Sequence, residues 1–60
     1  MDMVKASEIA RALYRAHGDR AEAEAAQREN EFTDAGNMDE AAYWRSIRGS
    51  IRQMRGANQS

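Results

Sequence analysis

Residues 44–55 read WRSIRGSIRQMR, and this stretch contains both the face with the largest apolar side chains and the most regularly spaced charged residues of the chain. Apolar side chains recur there at steps of three and four, which is the period of one side of an α-helix: Trp44, Ile47, Ile51 and Met54. Arginines recur in the same rhythm and would form a neighbouring stripe, called here the arginine row: Arg45, Arg48, Arg52 and Arg55. The stretch therefore predicts an amphipathic helix that packs along one side and carries a basic strip on another.

Two glycines divide the rest of the chain, Gly18 in AHGDR and Gly36 in DAGNM. Each follows a helical pattern at the position where a left-handed C-terminal cap favours glycine. Each is followed by an N-cap type of residue with Glu three positions later, the arrangement of a capping box: Asp19 with Glu22, and Asn37 with Glu40. We expect helices near 6–17, 20–35 and 38–55, with flexible ends at 1–4 and 57–60.

The composition is that of an all-α protein, because proline is absent and good helix formers dominate the 60 residues. A chain of this length forms one domain, 1–60, and we expect a small three-helix bundle or a helical hairpin with a short N-terminal helix. The sequence has no cysteine and a single histidine, His17, so neither a disulfide framework nor a histidine-rich metal site is expected. It also has no membrane-spanning apolar run and no signal-peptide pattern, which favours a cytoplasmic protein.

The three predicted helices differ in what they can bury. The first offers a mixed face of Ala6, Ile9, Ala10, Leu13, Ala16 and His17. The middle helix is poorer, because Phe32 is the only large apolar residue of its seam: Ala21, Ala25, Arg28, Phe32 and Ala35. We predict Trp44 as the central packing residue, within a core or interface made of Phe32, Trp44, Ile47, Ile51 and Met54. So thin a core favours association with a second copy.

The runs HGDRAEAEAAQR and AGNMDEAAYWRSI, with a further Ile51, resemble a family of short uncharacterised alphaproteobacterial helical proteins, a domain of unknown function. In that pattern a His-Gly pair ends a first helix, an Ala-rich helix with an Arg follows, and a Gly-Asn or Gly-Asp turn precedes Trp-x-x-Ile. The matching positions are His17, Gly18, Ala21, Arg28, Gly36, Asn37, Trp44 and Ile47. The resemblance covers about Ile9 to Ile51 and implies a helical fold and a bacterial cytoplasmic setting, without an activity.

Charge is strongly segregated along the chain. All ten acidic residues lie between Asp2 and Glu40, whereas the only charged side chains after Glu40 are the four arginines of the arginine row. Residues 1–40 therefore carry a net charge of −5 and residues 41–60 a net charge of +4, within a total of −1. Two interpretations stay open: the row pairs with the acidic middle helix or a neighbouring subunit, or it binds phosphate. The first is preferred, because dedicated nucleic-acid-binding domains are usually basic overall.

No pattern in the sequence indicates catalysis, a metal or a cofactor. The carboxylates of the middle helix lack the Glu-x-x-His unit of a bundle metal site, and DAGNMDE has Gly and Asp at the wrong positions for a calcium loop. We predict a protein–protein interaction or structural module, not an enzyme, that forms a homo-oligomer or binds another protein. The alternative is a small nucleic-acid-binding regulator that uses the arginine row.

Overall fold

The computed structural model describes residues 3–58, and the chain is all-α across them, with no strand in that range. Helix α1 spans Met3–His17, a short 3-10 turn follows at Gly18–Arg20, helix α2 spans Ala21–Asp34, and helix α3 spans Met38–Asn58. The all-α prediction is confirmed, and the helices begin and end within a few residues of the predicted bounds. Of the ends predicted to be flexible, positions 3, 4, 57 and 58 belong to α1 and α3, and positions 1, 2, 59 and 60 lie outside the described residues.

The first connection is a nearly continuous helical bend at Gly18. This glycine has a φ of 59°, in the left-handed region that ends α1, and the chain then passes through the 3-10 turn directly into α2. The N-cap of α2 is Arg20, with helical dihedrals (φ −86°, ψ −8°) and no side-chain cap hydrogen bond. The predicted capping box of Asp19 and Glu22 is therefore wrong, because a cap requires an extended residue and the backbone here is already helical.

The second connection follows the sequence prediction closely. Gly36, at a φ of 78°, ends α2 in a Schellman motif: the Gly36 N–H donates to Thr33 O (3.0 Å) and the Asn37 N–H donates to Phe32 O (2.9 Å). Asn37 then caps α3, since its Oδ1 accepts a 3.3 Å hydrogen bond from the Glu40 N–H. A tight turn thus brings α2 and α3 side by side in antiparallel directions.

Helix α3 packs against both α1 and α2, and the described core lies between them. The fully buried apolar residues are small except for two isoleucines: Ala6, Ala10, Ala21, Ala25, Ala41, Ile47 and Ile51. Larger side chains pack around this cluster while staying partly exposed, namely Ile9, Leu13, Tyr14, Tyr43, Trp44 and Met54. The prediction that Trp44 is the central packing residue is wrong, because Ile47 and Ile51 occupy the centre and the indole lies at its margin.

Several positions of the predicted faces also lie elsewhere. Ala16 and His17 at the end of α1 are exposed, as are Arg28 and Ala35 of the predicted α2 seam, whereas Glu29 is buried. Ala21 and Ala25 of the predicted α2 seam are fully buried and Phe32 is half-buried, so α2 keeps the predicted face and differs from it mainly in burying Glu29 in place of Arg28. None of the helices in the described range has the length and apolar character needed to cross a membrane.

Candidate functional site: the arginine row and its carboxylates

The arginine row faces α2 and is organised around Glu29, a carboxylate that is almost fully buried. Arg45 Nε donates a 3.0 Å hydrogen bond to Glu29 Oε2, and Arg48 Nη1 lies 3.2 Å from Glu29 Oε1. The Glu29 side chain is 10% exposed, whereas those of Arg45 and Arg48 are 61% and 40% exposed. One buried anion therefore holds two solvent-facing cations, which draws Arg45 and Arg48 toward α2.

The two oxygens of Glu29 are not equivalent. Oε2 accepts the hydrogen bond from Arg45, whereas Oε1 is buried and has no hydrogen-bond partner among the described residues. The Arg48 guanidinium is close enough for a strong ionic attraction, but its N–H does not point at the oxygen in hydrogen-bond geometry. Because a buried anion depends on its nearby cations, Glu29 needs at least one of the two arginines.

A second ion pair lies nearer the C-terminal end of α3. Arg55 Nη1 donates a 2.7 Å hydrogen bond to Glu22 Oε1, with side-chain exposures of 35% and 26%. Glu22 and Glu29 are seven residues apart on α2, so they lie on one face of that helix and match the two ends of the arginine row. Ion pairing thus joins α2 to α3 over the first part of α2, from Glu22 to Glu29.

Arg52 is the exception in the row. Its side chain is exposed, and it forms no salt bridge with any carboxylate in the described part of the chain. It borders an open, shallow groove between α2 and α3 whose lining mixes both signs of charge: Asp19, Glu22, Ala23, Ala26, Arg48, Arg52 and Arg55. The acids in this lining partly offset the positive potential, so the groove is a weaker anion site than four adjacent arginines suggest.

Trp44, one of the residues predicted for the core, also contacts a cation at the surface. The Arg28 guanidinium carbon lies 5.6 Å from the centroid of the Trp44 ring, a cation–π contact between α2 and α3. Phe32 and Met54 are likewise half-buried. Of the five residues predicted for core or interface, Ile47 and Ile51 belong to the buried core, Trp44 and Met54 pack against it, and Phe32 is half-buried.

Sequence reasoning placed the arginine row correctly on one helix face next to α2, but it missed Glu29 as the residue around which the row is organised. The signal was present in the seven-residue spacing of Glu22 and Glu29, which matches the spacing of Arg48 and Arg55. Alanine spacing pointed instead to the neighbouring position, Arg28. Within residues 3–58, His, Cys, Asp and Glu form no cluster of three or more that could hold a metal ion.

No family model matches the chain, and neither curated proteins nor solved structures show a significant match to it.

Proposed function

We propose that the protein works by protein contact, as a small three-helix bundle that associates with a second copy of itself or with another protein. The observation that carries this proposal is the composition of the core. Its fully buried apolar residues in the described range are five alanines and two isoleucines, and only Ile47 and Ile51 are large. A fold this poorly filled gains stability when its larger side chains are covered by a partner.

The half-exposed residues supply the surface for such a contact. Six apolar side chains larger than alanine pack against the core while keeping part of their surface in water, and Met38 at the start of α3 is 58% exposed. Aromatic residues and methionine are the residue types enriched in protein interfaces. Burial of apolar surface contributes about 25 cal/mol per Å², so even partial coverage of these residues adds appreciably to a small stability.

The rest of the proposal follows the sequence analysis. The protein acts by binding and not by catalysis, and it works in the bacterial cytoplasm as a relative of the short alphaproteobacterial helical proteins that it resembles. This setting rests on the resemblance alone, whereas the contact function rests on the core.

The alternative function, binding of nucleic acid through the arginine row, is supported by one observation. Arg52 is exposed and has no salt bridge among the described residues, so it is available to a phosphate. The other three arginines of the row are paired with Glu22 or Glu29 and would have to leave these carboxylates before they could bind an anion. Protein contact is therefore the better-supported function.

Sedimentation equilibrium of the full chain over about one to one hundred micromolar tests the proposal. We expect a concentration-dependent species of twice the 6.8 kDa mass, or else a stable complex with a cellular protein in reciprocal pull-downs with tagged partners. Fluorescence anisotropy with a generic duplex and a generic single strand at 150 mM salt tests the alternative. Micromolar nucleic-acid binding by a strictly monomeric chain would contradict the proposal and support the alternative.

A further inference from the structure

Helix α1 is held on the fold by apolar packing. Ala6 and Ala10 are fully buried in one cluster with Ile47 and Ile51 of α3, and larger side chains of α1 pack around them while staying partly exposed. The salt bridges and side-chain hydrogen bonds of the described residues all lie in the α2–α3 hairpin, and none of them involves α1. Because no ion pair has to break, α1 is the helix that leaves the fold at the lowest cost.

A single residue interrupts the helical backbone between α1 and α2. Gly18 has a φ of 59°, whereas His17, Arg20 and Ala21 around it have right-handed helical dihedrals. The start of α2 also has no side-chain cap, so its first N–H groups gain carbonyl acceptors if α1 continues directly into it. Rotation of Gly18 into the right-handed region therefore joins α1 and α2 into one helix, and glycine makes this change without a steric penalty.

Straightening at Gly18 removes α1 from its own α3. The pair of Glu22 and Arg55 places the start of α2 beside the end of α3, so an α1 that continues α2 in a straight line extends beyond that end. Ile47 and Ile51 then lose the helix that covers them, and α1 exposes its buried alanines. A second copy opened in the same way has the complementary pair of surfaces.

We infer that two copies of the chain exchange their α1 helices, so that α1 of each copy packs on Ile47 and Ile51 of the other. This inference rests on the proposed self-association and names the segment that docks. The closed chain identifies the occupant of the α3 face, because α1 already fits it there. A two-fold axis makes the two exchanged contacts identical. Since the same α1–α3 contacts form in both states, the hinge at Gly18 and the protein concentration set the balance.

The substitution Gly18→Ala tests the role of the hinge. Alanine is strained at a φ of 59° but is favoured in a continuous helix. We therefore expect the dimer dissociation constant to fall by about a hundredfold or more, about tenfold for each of the two hinges in a dimer. Gly49→Ala makes the same chemical change within α3, away from the hinge, and should leave the dissociation constant within about twofold of the wild-type value. Sedimentation velocity measures all three proteins.

Crosslinking distinguishes exchange from any other dimer. Ser7 of α1 and Ser50 of α3 line the same groove and are accessible, and the chain has no cysteine of its own. Chains with Ser7→Cys and chains with Ser50→Cys are refolded together and treated with a short bismaleimide, and we expect a covalent link between the two introduced thiols on different chains. A single chain that carries both substitutions, and is crosslinked internally as a monomer, cannot release α1 and should stay monomeric even with Gly18→Ala.

The outcomes separate the exchange from self-association in general. A wild-type dimer whose mixed chains give no link between positions 7 and 50 would overturn the exchange while leaving self-association intact. A Gly18→Ala dissociation constant equal to or above that of the wild type would overturn it as well. A wild-type chain that stays monomeric to about one hundred micromolar would overturn the inference together with the proposed self-association.

Discussion

The arginines on either side of Glu29 should be strongly non-additive in their contribution to stability. Arg45→Ala alone leaves Glu29 with Arg48, and Arg48→Ala alone leaves it with Arg45. Both arginine side chains are substantially exposed, at 61% and 40%, so each single change should cost only about 0.5–1 kcal/mol. The double variant leaves a carboxylate that is 10% exposed without a cation, which is a different and larger penalty.

The size of that penalty follows from burial. Removing the partner of a fully buried charge costs about 3–5 kcal/mol. Because truncation of two long side chains would admit water to Glu29, the lower end applies, about 3 kcal/mol for Arg45→Ala with Arg48→Ala. The double variant therefore exceeds the sum of the singles by about 1–2 kcal/mol, and at about 4–8 °C per kcal/mol it should melt at least about 12 °C below the wild type.

A third substitution distinguishes the cost of the unpaired Glu29 charge from the loss of packing by the two arginine side chains. Adding Glu29→Leu to the double variant removes the unpaired charge and fills the same volume with apolar atoms, so about 2 kcal/mol of stability should return. Urea unfolding followed by circular dichroism measures each variant, and repeating it at two protein concentrations separates folding from association. Arg52→Ala, which breaks no salt bridge within the described chain, is the control and should stay within about 0.5 kcal/mol of the wild type.

The reasoning would be refuted by additivity. If the double variant costs the sum of the two single changes, Glu29 does not depend on the pair as a unit. If Glu29→Leu fails to restore stability in the double variant, the loss came from the arginine stems packing on α2 and α3 and not from the stranded charge. At about 0.05–0.15 kcal/mol per residue, the total stability is about 3–9 kcal/mol. Because the double variant loses about 3 kcal/mol of it, every variant is measured with a stabilising osmolyte such as sucrose, which keeps the weakest one folded without urea.

Three further predictions concern the core, the turn at Gly36 and the exposed glycine within α3. Ile51→Ala should cost about 2–4 kcal/mol in urea unfolding, and more than Trp44→Ala, because Ile51 is fully buried and the indole lies at the margin; the reverse order would contradict this description of the core. Gly36→Ala should lower stability by about 1 kcal/mol, since only the positive φ of 78° is at issue and no atom blocks a Cβ there; an unchanged thermal midpoint would argue against that conformation. Gly49→Ala should raise stability by about 0.5–1 kcal/mol, because no atom lies within 4 Å of the place where its Cβ would stand, and a loss of stability would contradict that open space.

Much of the fold was readable from short-range signals in the sequence. The Gly36–Asn37 connection is built by backbone hydrogen bonds that span only a few residues, so its glycine and its capping amide reveal it without any knowledge of packing. The same locality explains why the end of α1 at Gly18 was predictable. Not every local prediction was right. The residue before α2, Arg20, already has helical dihedrals and no side-chain cap hydrogen bond, so the predicted capping box at Asp19 does not form.

The identity of the core and of the paired charges depended on tertiary structure. Helical periodicity allows a step of three or of four after Ala25, so it fits Arg28 and Glu29 equally well, and only the packing of α2 on α3 selects Glu29. Likewise, α1 brings Ala6 and Ala10 onto the cluster of Ile47 and Ile51, which leaves Trp44 at the edge although it is the largest apolar residue of its helix. Periodicity and capping are properties of neighbours along the chain, and the sequence by itself determined them. Which carboxylate meets which arginine depends on the register between helices, and only the folded chain decides that register.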